Sequence, residues 1–345
     1  MKISRIAILG GNGALGGWIE EELTDLGLTV FSLEKDEYNI VTDQDKIMDF
    51  LKRNKVELVV NCAAKTDVDW CEKHQETARK VNAAAPCELY SQMIKTSSCP
   101  VKWFVCFSTE MVFDGTKGER YVEDDKVNPP NYYGRTKAAL EMVLQKLYES
   151  TWNGIRRQRV RYTVIRTSWL YQEHFILGRE GNCWPKSMLR ALQERKKLYF
   201  ANDVRSCPTS YQSLADFVAI LVTKIQTTTG NRLAPLTGII HVCGTRSTTR
   251  WRWFRCIIER YATKNRRVGT KWVEDVPYEL YQKLNPEPAR RPLDARLDNS
   301  KARSYGWEPV NWRDGTEGFV DNAKGVFDYF DHRRSNDKLP PEIRW

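Results

Sequence analysis

Tyr133 and Lys137 stand four residues apart in the segment YGRTK, and that separation on a helix puts both side chains on one face. The pairing suits proton transfer. A phenol in water holds its proton until about pH 10, whereas a neighbouring ammonium favours the phenolate and brings its pKa closer to neutrality. A tyrosine so placed can hand its proton to a carbonyl oxygen that is receiving hydride, which is ketone-reductase chemistry. Upstream, the run WFVCFST ends in Ser108 and Thr109, either of whose hydroxyls could hold the same carbonyl. The candidate chemistry thus lies between Cys106 and Glu141.

These groups need elements to position them. After Lys137, AALEMVLQKLYE has the apolar spacing of an amphipathic helix, and WFVCFST reads as a buried strand. At the amino end a β-rich run from Ile3 to Leu9 meets GGNGALGG and then the helical pattern WIEEELTDLG. Strand, glycine turn and helix in that order form a dinucleotide-binding signature. Gly10 permits the tight turn, Gly13 lets backbone amides approach a pyrophosphate and Gly16 lets the helix pack close to the strand, with Asn12, Ala14 and Leu15 completing the loop. The anion meets the unpaired N–H groups and the macrodipole at the helix amino end. The second strand, LTVFSLE, closes on Glu34, placed for the adenosine ribose hydroxyls of NAD, while the adjacent Lys35 would instead receive the 2′-phosphate of NADP. A helix near Asp43 to Asn54 leads into VELVVNCAA, another buried strand, whose end offers Cys62, Ala63, Ala64 and then Lys65 to a cofactor. A later helix carries Asn82 and Pro86. Strands alternate with helices through the first 170 residues, which predicts an α/β fold with a doubly wound parallel sheet and a ligand crevice at the strand carboxyl ends.

Composition narrows the partners. The chain has 345 residues and a formal charge of +10, which suits an anionic ligand such as a dinucleotide or a nucleotide sugar. Its nine cysteines are scattered singly without metal-ligand spacing, so reduced packing residues and no metal are expected. KISRIAILGG enters a strand directly, and no apolar run approaches membrane-spanning length, so the expectation is a soluble cytoplasmic protein without a membrane partner. The cationic run RSTTRWRWFRCIIERYATKNRRVGTKW mixes tryptophan with arginine, as single-stranded nucleic-acid binders do. Its segment CIIERY fits an amphipathic helix with the basic side in water, and no nucleic-acid partner is expected. QEHFILGREGN reads as a loop over the site, and DHRRSNDKLPPEIRW as a loose tail over residues 331–345.

Seven segments in order, GGNGALG, VVNCAAKTDVD, FSTEMVFDG, YYGRTK, IRTSWLY, DVRSCPTS and ARRPLDARLDNSK, resemble the dTDP-4-dehydrorhamnose reductase family of the extended short-chain dehydrogenase/reductase superfamily, from about Ile3 to about Gly318. The resemblance implies a Rossmann-type NAD(P)-binding domain over residues 1–170, to which parts of 205–245 return, and a smaller carboxyl-terminal α/β substrate domain over 171–330. It implies reduction of the C4 ketone of a nucleotide 4-keto-6-deoxysugar, dTDP-4-dehydro-L-rhamnose, by NADPH or NADH. Tyr133 would then be the general acid, and Lys137 would bind the nicotinamide ribose while lowering the tyrosine pKa. Thr109 would bond the sugar carbonyl, while Thr66, Val68 and Trp169 would line the sugar site. Arg291 would grip the substrate pyrophosphate as a bidentate donor, or else form a structural ion pair. Where the family reads STDYVFDG this chain reads STEMVFDG, so Glu110 and Met111 stand beside the sugar in place of an aspartate and a tyrosine. Related epimerase/reductases acting on UDP-4-keto-6-deoxyglucose place a cysteine at the Met111 position, and a methionine exchanges no proton; the segment DVDWCEKH nonetheless resembles those UDP-rhamnose enzymes of plants. A regulatory, NADP-binding subunit of methionine adenosyltransferase resembles the same family and stands as the non-catalytic alternative. A homodimer is left open.

Overall fold

A computed structural model describes residues 2–151, 160–172, 184–193, 196–264, 272–284 and 289–321. The first part runs β1 (Arg5–Leu9), α1 (Ala14–Asp25), β2 (Thr29–Leu33), α2 (Gln44–Arg53), β3 (Leu58–Asn61), α3 (Val68–Lys73) and α4 (Gln75–Arg79). A π-helical turn over Lys80–Ala84 follows, then α5 (Ala85–Lys95), β4 (Trp103–Thr109), a 3-10 turn over Glu110–Val112, α6 (Tyr132–Ser150) and β5 (Arg161–Thr167). The second part runs β6 (Leu170–Tyr171), α7 (Trp184–Gln193), β7 (Leu198–Ala201), β8 (Arg205–Ser206), β9 (Thr209–Ser210), α8 (Tyr211–Thr227) and β10 (Gly238–His241). It ends with β11 (Thr248–Thr249), α9 (Arg250–Lys264), β12 (Val273–Val276), α10 (Tyr278–Leu284) and α11 (Ser300–Arg303).

Among the described residues, six strands form one parallel sheet in the order β10-β5-β4-β3-β1-β2. The chain leaves β1 toward β2 on one side and then builds β3, β4 and β5 on the other. That reversal opens a crevice between β1 and β3 at the strand carboxyl ends, where ligands of such folds bind. Alternation along β4 explains the uninterrupted apolar run. Trp103, Val105 and Phe107 share a core with Ile19 of α1 and Phe217 of α8, while Phe104 and Cys106 share one with Leu51, Met93 and Leu144 of α2, α5 and α6. Each such buried side chain contributes about 1.5–3 kcal/mol. The expected α/β parallel architecture is what the structure has.

The second part does not stay apart from the sheet: β10 pairs with β5, and α8 packs its Leu214, Phe217 and Leu221 onto the same core as Ile6 and Ile8. Beyond it, β7 and β12 form a parallel pair, and Tyr171, Leu189, Phe200, Trp253, Phe254 and Ile257 cluster in a separate core. Of the segment expected to cover the site, residues 173–182 lie outside the described residues, as does the 331–345 tail. No helix among the described residues is long and apolar enough to cross a membrane.

Behind the crevice lies a buried ion network. Arg166 of β5 donates to both carboxylate oxygens of Glu141 on α6, at 2.9 and 2.7 Å, and the pair is 2% and 5% exposed. Its third nitrogen faces His241 Nε2 at 3.2 Å, so that imidazole nitrogen accepts while Nδ1 donates to the Tyr121 carbonyl. Burial, reinforced by the Arg166 charge, holds the His241 pKa down to about 3, which keeps the ring neutral. Removing one partner of such a pair strands the other charge in a dry interior, whereas removing both does not. Arg166→Met is therefore expected to cost about 3–5 kcal/mol in urea unfolding, with the double change to Arg166→Met and Glu141→Leu costing less than that single one. A single-variant cost under about 1 kcal/mol would mean that the network is a passive contact.

Candidate active site

The two hydroxyls at the end of β4 point different ways because successive strand residues face opposite sides. Ser108 donates to Glu141 Oε1 in the network behind the sheet. Thr109 turns toward the crevice, where its hydroxyl donates to Glu110 Oε2 at 2.9 Å and accepts from the Met111 amide at 3.2 Å. Of the two candidates, only Thr109 lies close enough to Tyr133 to act on its phenol.

Two residues bring Tyr133 there. Asn131 caps α6, its Oδ1 accepting from the Gly134 amide at 2.8 Å while its Nδ2 donates to the Arg290 carbonyl at 2.8 Å. Gly134 lets the helix approach, since a Cβ at this position would run into the Met111 carbonyl. Tyr133 consequently sits in the first turn of α6, at the positive end of the helix dipole, which favours negative charge on the phenol oxygen. Lys137 follows one turn later, its Nζ donating to the Phe107 carbonyl at 2.9 Å and lying 5.9 Å from the Tyr133 ring centre.

Electrostatics depart from the sequence expectation in one respect. Burial raises the Tyr133 pKa well above that of a free phenol, and the neighbouring Glu110 and Cys71 add to the rise against the opposing Thr109 hydrogen bond. Burial of the phenol outweighs the help of Lys137, which burial itself pulls down to about 8 and whose ammonium is directed at a backbone carbonyl. Glu110 is also buried, and burial pushes its carboxyl up to about 7 despite the Thr109 hydrogen bond and the charge of Arg250.

The glycine turn at the end of β1 has the shape that a dinucleotide requires. Gly10 adopts φ 74° and its Cα lies against the backbone of Ala63, so that a Cβ would stand 3.1 Å from the Ala63 nitrogen. A methyl at Gly16 would come within 2.9 Å of backbone atoms of Gly10 and Gly11, which cannot yield. Gly13 is the α1 cap, with no side-chain cap bond and no acidic residue in the first turn, so the helix amino end is fitted to an anion. Asn12 and Gly13 are exposed on the loop, while Ala14 and Leu15 are half-buried. Glu34 and Lys35 are both exposed just beyond β2, beside the turn through the bond from the Gly10 amide to the Leu33 carbonyl at 2.9 Å. Ala63 and Ala64 lie half-buried beyond β3, and Cys62 beside them is close enough for the Lys137 charge to act on its thiol. The glycine turn, the β3 end and the Tyr133–Lys137 pair thus border one crevice. Its residues fit a bound dinucleotide.

The other predicted positions divide. Asn82, in the π-helical turn, receives the Lys65 amide at 2.8 Å and donates to the Lys65 carbonyl at 2.9 Å and to Thr136 Oγ1 on α6 at 3.2 Å. Lys65 places its Nζ 5.2 Å from the Trp70 ring centre, and Thr66 is exposed on the same loop. Val68 packs with Cys71, Met111 and Tyr133, which joins it to the crevice. Trp169 has the left-handed φ of 36°, stacks on Trp253 with ring centres 5.9 Å apart, and has the Arg250 guanidinium 5.2 Å from its ring centre. Arg291 is engaged by Asp69, at 3.1 and 2.7 Å, in the ion-pair arrangement that the sequence left as the alternative to pyrophosphate binding. Asn131, Gly134 and Arg250 were not singled out from the sequence. Asn131, directly before the helical run, was a readable cap signal, whereas Arg250 comes near Glu110 only through the tertiary fold.

Comparison with known proteins follows the same outline. The family model described as RmlD substrate binding domain matches residues 4–324. A dTDP-4-dehydrorhamnose reductase of Escherichia coli (strain K12) is 27% identical over 319 residues, covering 90% of this chain and 95% of the relative. The solved structure of a dTDP-4-dehydrorhamnose reductase from Clostridium acetobutylicum ATCC 824 superimposes with a TM-score of 0.74 at 26% identity, covering 93% of this chain and 99% of the other. One from Bacillus anthracis str. Ames, solved in complex with NADP, gives a TM-score of 0.74 at 25% identity over 93% of this chain and 100% of the other.

Proposed function

The chain belongs to the RmlD substrate binding domain family, and from that premise we propose that it is an NAD(P)H-dependent oxidoreductase that converts dTDP-4-dehydro-L-rhamnose to dTDP-L-rhamnose. The observation that supports this reading is the convergence of Thr109, Tyr133 and Lys137 at the carboxyl end of β4, across the crevice from the glycine turn. NADPH is the assigned cofactor, as in the related enzyme solved with NADP, and when bound it supplies the hydride. Amides around Gly10, Gly13 and Gly16 hold the pyrophosphate, with Asn12, Ala14 and Leu15 along its path and Glu34 at the adenosine ribose. Ala63, Ala64 and Lys65 form the wall beyond β3.

Tyr133 gives its proton to the C4 oxygen as the alkoxide develops, and Thr109 holds that oxygen in place. The Tyr133 pKa, raised by burial, keeps the phenol fully protonated before reaction. Lys137 supplies a buried positive charge that stabilises the phenolate after transfer. Thr66, Val68, Glu110 and Trp169 border the sugar, with Trp169 offering an apolar face to the deoxysugar. Arg291 holds Asp69, and so the start of α3, in place beside them. Division into a dinucleotide-binding part up to residue 170 and a nucleotide-sugar part after it belongs to the same proposal.

The test is direct. Purified protein with NADPH and dTDP-4-dehydro-L-rhamnose should consume reduced cofactor and yield dTDP-L-rhamnose, identified by mass spectrometry of the product sugar. If neither this substrate nor its UDP counterpart drives cofactor oxidation, the reductase assignment fails.

A further inference from the structure

Of the carboxylates at α3, only one serves the helix itself. Asp67 caps it by accepting from the Trp70 amide at 2.9 Å. Asp69 and Glu72 stand three residues apart, on one face of the helix, and both reach out of it. Glu72 Oε2 accepts from the Tyr132 amide at 2.8 Å, at the amino end of α6 and one residue before the phenol. Asp69 receives Arg291 through Oδ1 at 3.1 Å and Oδ2 at 2.7 Å, and its Oδ1 also takes the Ala289 amide at 3.3 Å. Between these two carboxylates, Cys71 packs with Val68 and the Tyr133 ring.

A second route joins the same places. Asn131, which caps α6 through the Gly134 amide, donates its Nδ2 to the Arg290 carbonyl at 2.8 Å. The two residues that precede the phenol are thus tied to the neighbours Arg290 and Arg291, Asn131 directly and Tyr132 through α3. Arg291 is itself fixed by α10, since its amide donates to the Tyr278 hydroxyl at 2.7 Å. A first-turn N–H has no partner within its own helix, so the Glu72 carboxylate both satisfies that donor and complements the helix dipole.

We propose that Glu72 is a positioning residue for the Tyr133 phenol, and that Asp69 and Arg291 anchor it from the nucleotide-sugar part of the chain. The proposal rests on the reductase reading. A charge-assisted bond fixes where the first turn of α6 begins, and the phenol one residue on inherits that placement. Arg291 serves the reaction here through Asp69, at which both its terminal nitrogens are directed, its side chain being only 7% exposed. Loosening this bracket costs turnover and leaves cofactor affinity alone, because the glycine turn lies on other elements.

The experiment compares kcat, KM and the solvent deuterium isotope effect on kcat for wild type, Glu72→Ala, Glu72→Gln, Asp69→Ala and the double Ala variant. Amide hydrogen exchange over Tyr132 to Gly134 gives the structural readout. Glu72→Ala should lower kcat about 10–10²-fold, the loss that a displacement of up to about 1 Å brings, with KM and NADPH affinity within about twofold of wild type. The isotope effect should rise, because proton transfer from a misplaced phenol then limits turnover. Glu72→Gln keeps an oxygen that accepts from the Tyr132 amide, and should retain most of kcat and wild-type exchange where Glu72→Ala quickens it. Asp69→Ala should also lower kcat, and the double variant should lose less than the product of the two single losses, as expected of one route. An Ala variant at Glu72 with wild-type kcat or unchanged exchange, one that loses substrate affinity instead, or a Gln variant as slow as the Ala one overturns the positioning role while the reductase reading stands. A wild type that oxidises no cofactor brings down both.

Discussion

Tyr133→Phe should lower kcat by about 10²–10⁴-fold, the range that a positioned proton donor supplies. The phenyl ring keeps its place against Met111 and Cys71 in the cluster at the base of the crevice, so the helix has no reason to move. What disappears is the hydroxyl that meets Thr109, and with it the proton for the C4 oxygen. KM and the dissociation constant for NADPH should stay near wild type, because the glycine turn and the residues along the sugar are untouched. Steady-state rates of cofactor oxidation together with a calorimetric titration of NADPH check both halves. A Phe variant that retains most of the wild-type kcat removes Tyr133 from the role of acid, and one that loses cofactor affinity instead makes it a structural residue.

Gly134→Ala should be nearly as damaging for a wholly different reason. The added methyl has no chemistry, but it would occupy the space of the Met111 carbonyl, and neither the 3-10 turn nor the capped start of α6 can retreat cheaply. Overpacking at such a contact costs about 1–3 kcal/mol. The larger effect is catalytic, since displacing the first turn of α6 by about 1 Å moves Tyr133 away from Thr109, and a misplacement of that size lowers turnover about 10²-fold. Thermal unfolding and kcat/KM measured on one preparation separate the two contributions. An Ala variant with wild-type kcat/KM would show that α6 has slack at this point, contrary to the close approach described here.

Gly134 also marks where sequence reasoning stops. The strand over Trp103–Thr109 and the Tyr133–Lys137 pairing were legible because a seven-residue apolar run and a four-residue spacing are local signals. Choosing between Ser108 and Thr109 was not, since every residue of β4 is buried and the pattern does not reveal which side chains face α6. The ion pair of Asp69 with Arg291 spans 222 positions, and the bond of Asn131 to Arg290 spans 159, so neither leaves a trace in local spacing. The second part was the least readable, because β6, β8, β9 and β11 are two residues each and exist through their pairing partners more than through propensity. The direction of the Tyr133 pKa was misjudged for a related reason. Spacing shows that an ammonium is near, but only the assembled fold shows how dry the phenol is and that Lys137 is turned toward a carbonyl.

Asn82 yokes Lys65, at the edge of the cofactor wall, to Thr136, between the tyrosine and the lysine of α6. One amide side chain, 1% exposed, spends its oxygen on the loop and its nitrogen on both loop and helix. The loop beyond β3 and the first turns of α6 are therefore tied through one side chain. The wall on which a dinucleotide would lie and the helix that carries the phenol thus share one anchor, so that substituting Asn82 would loosen both at once.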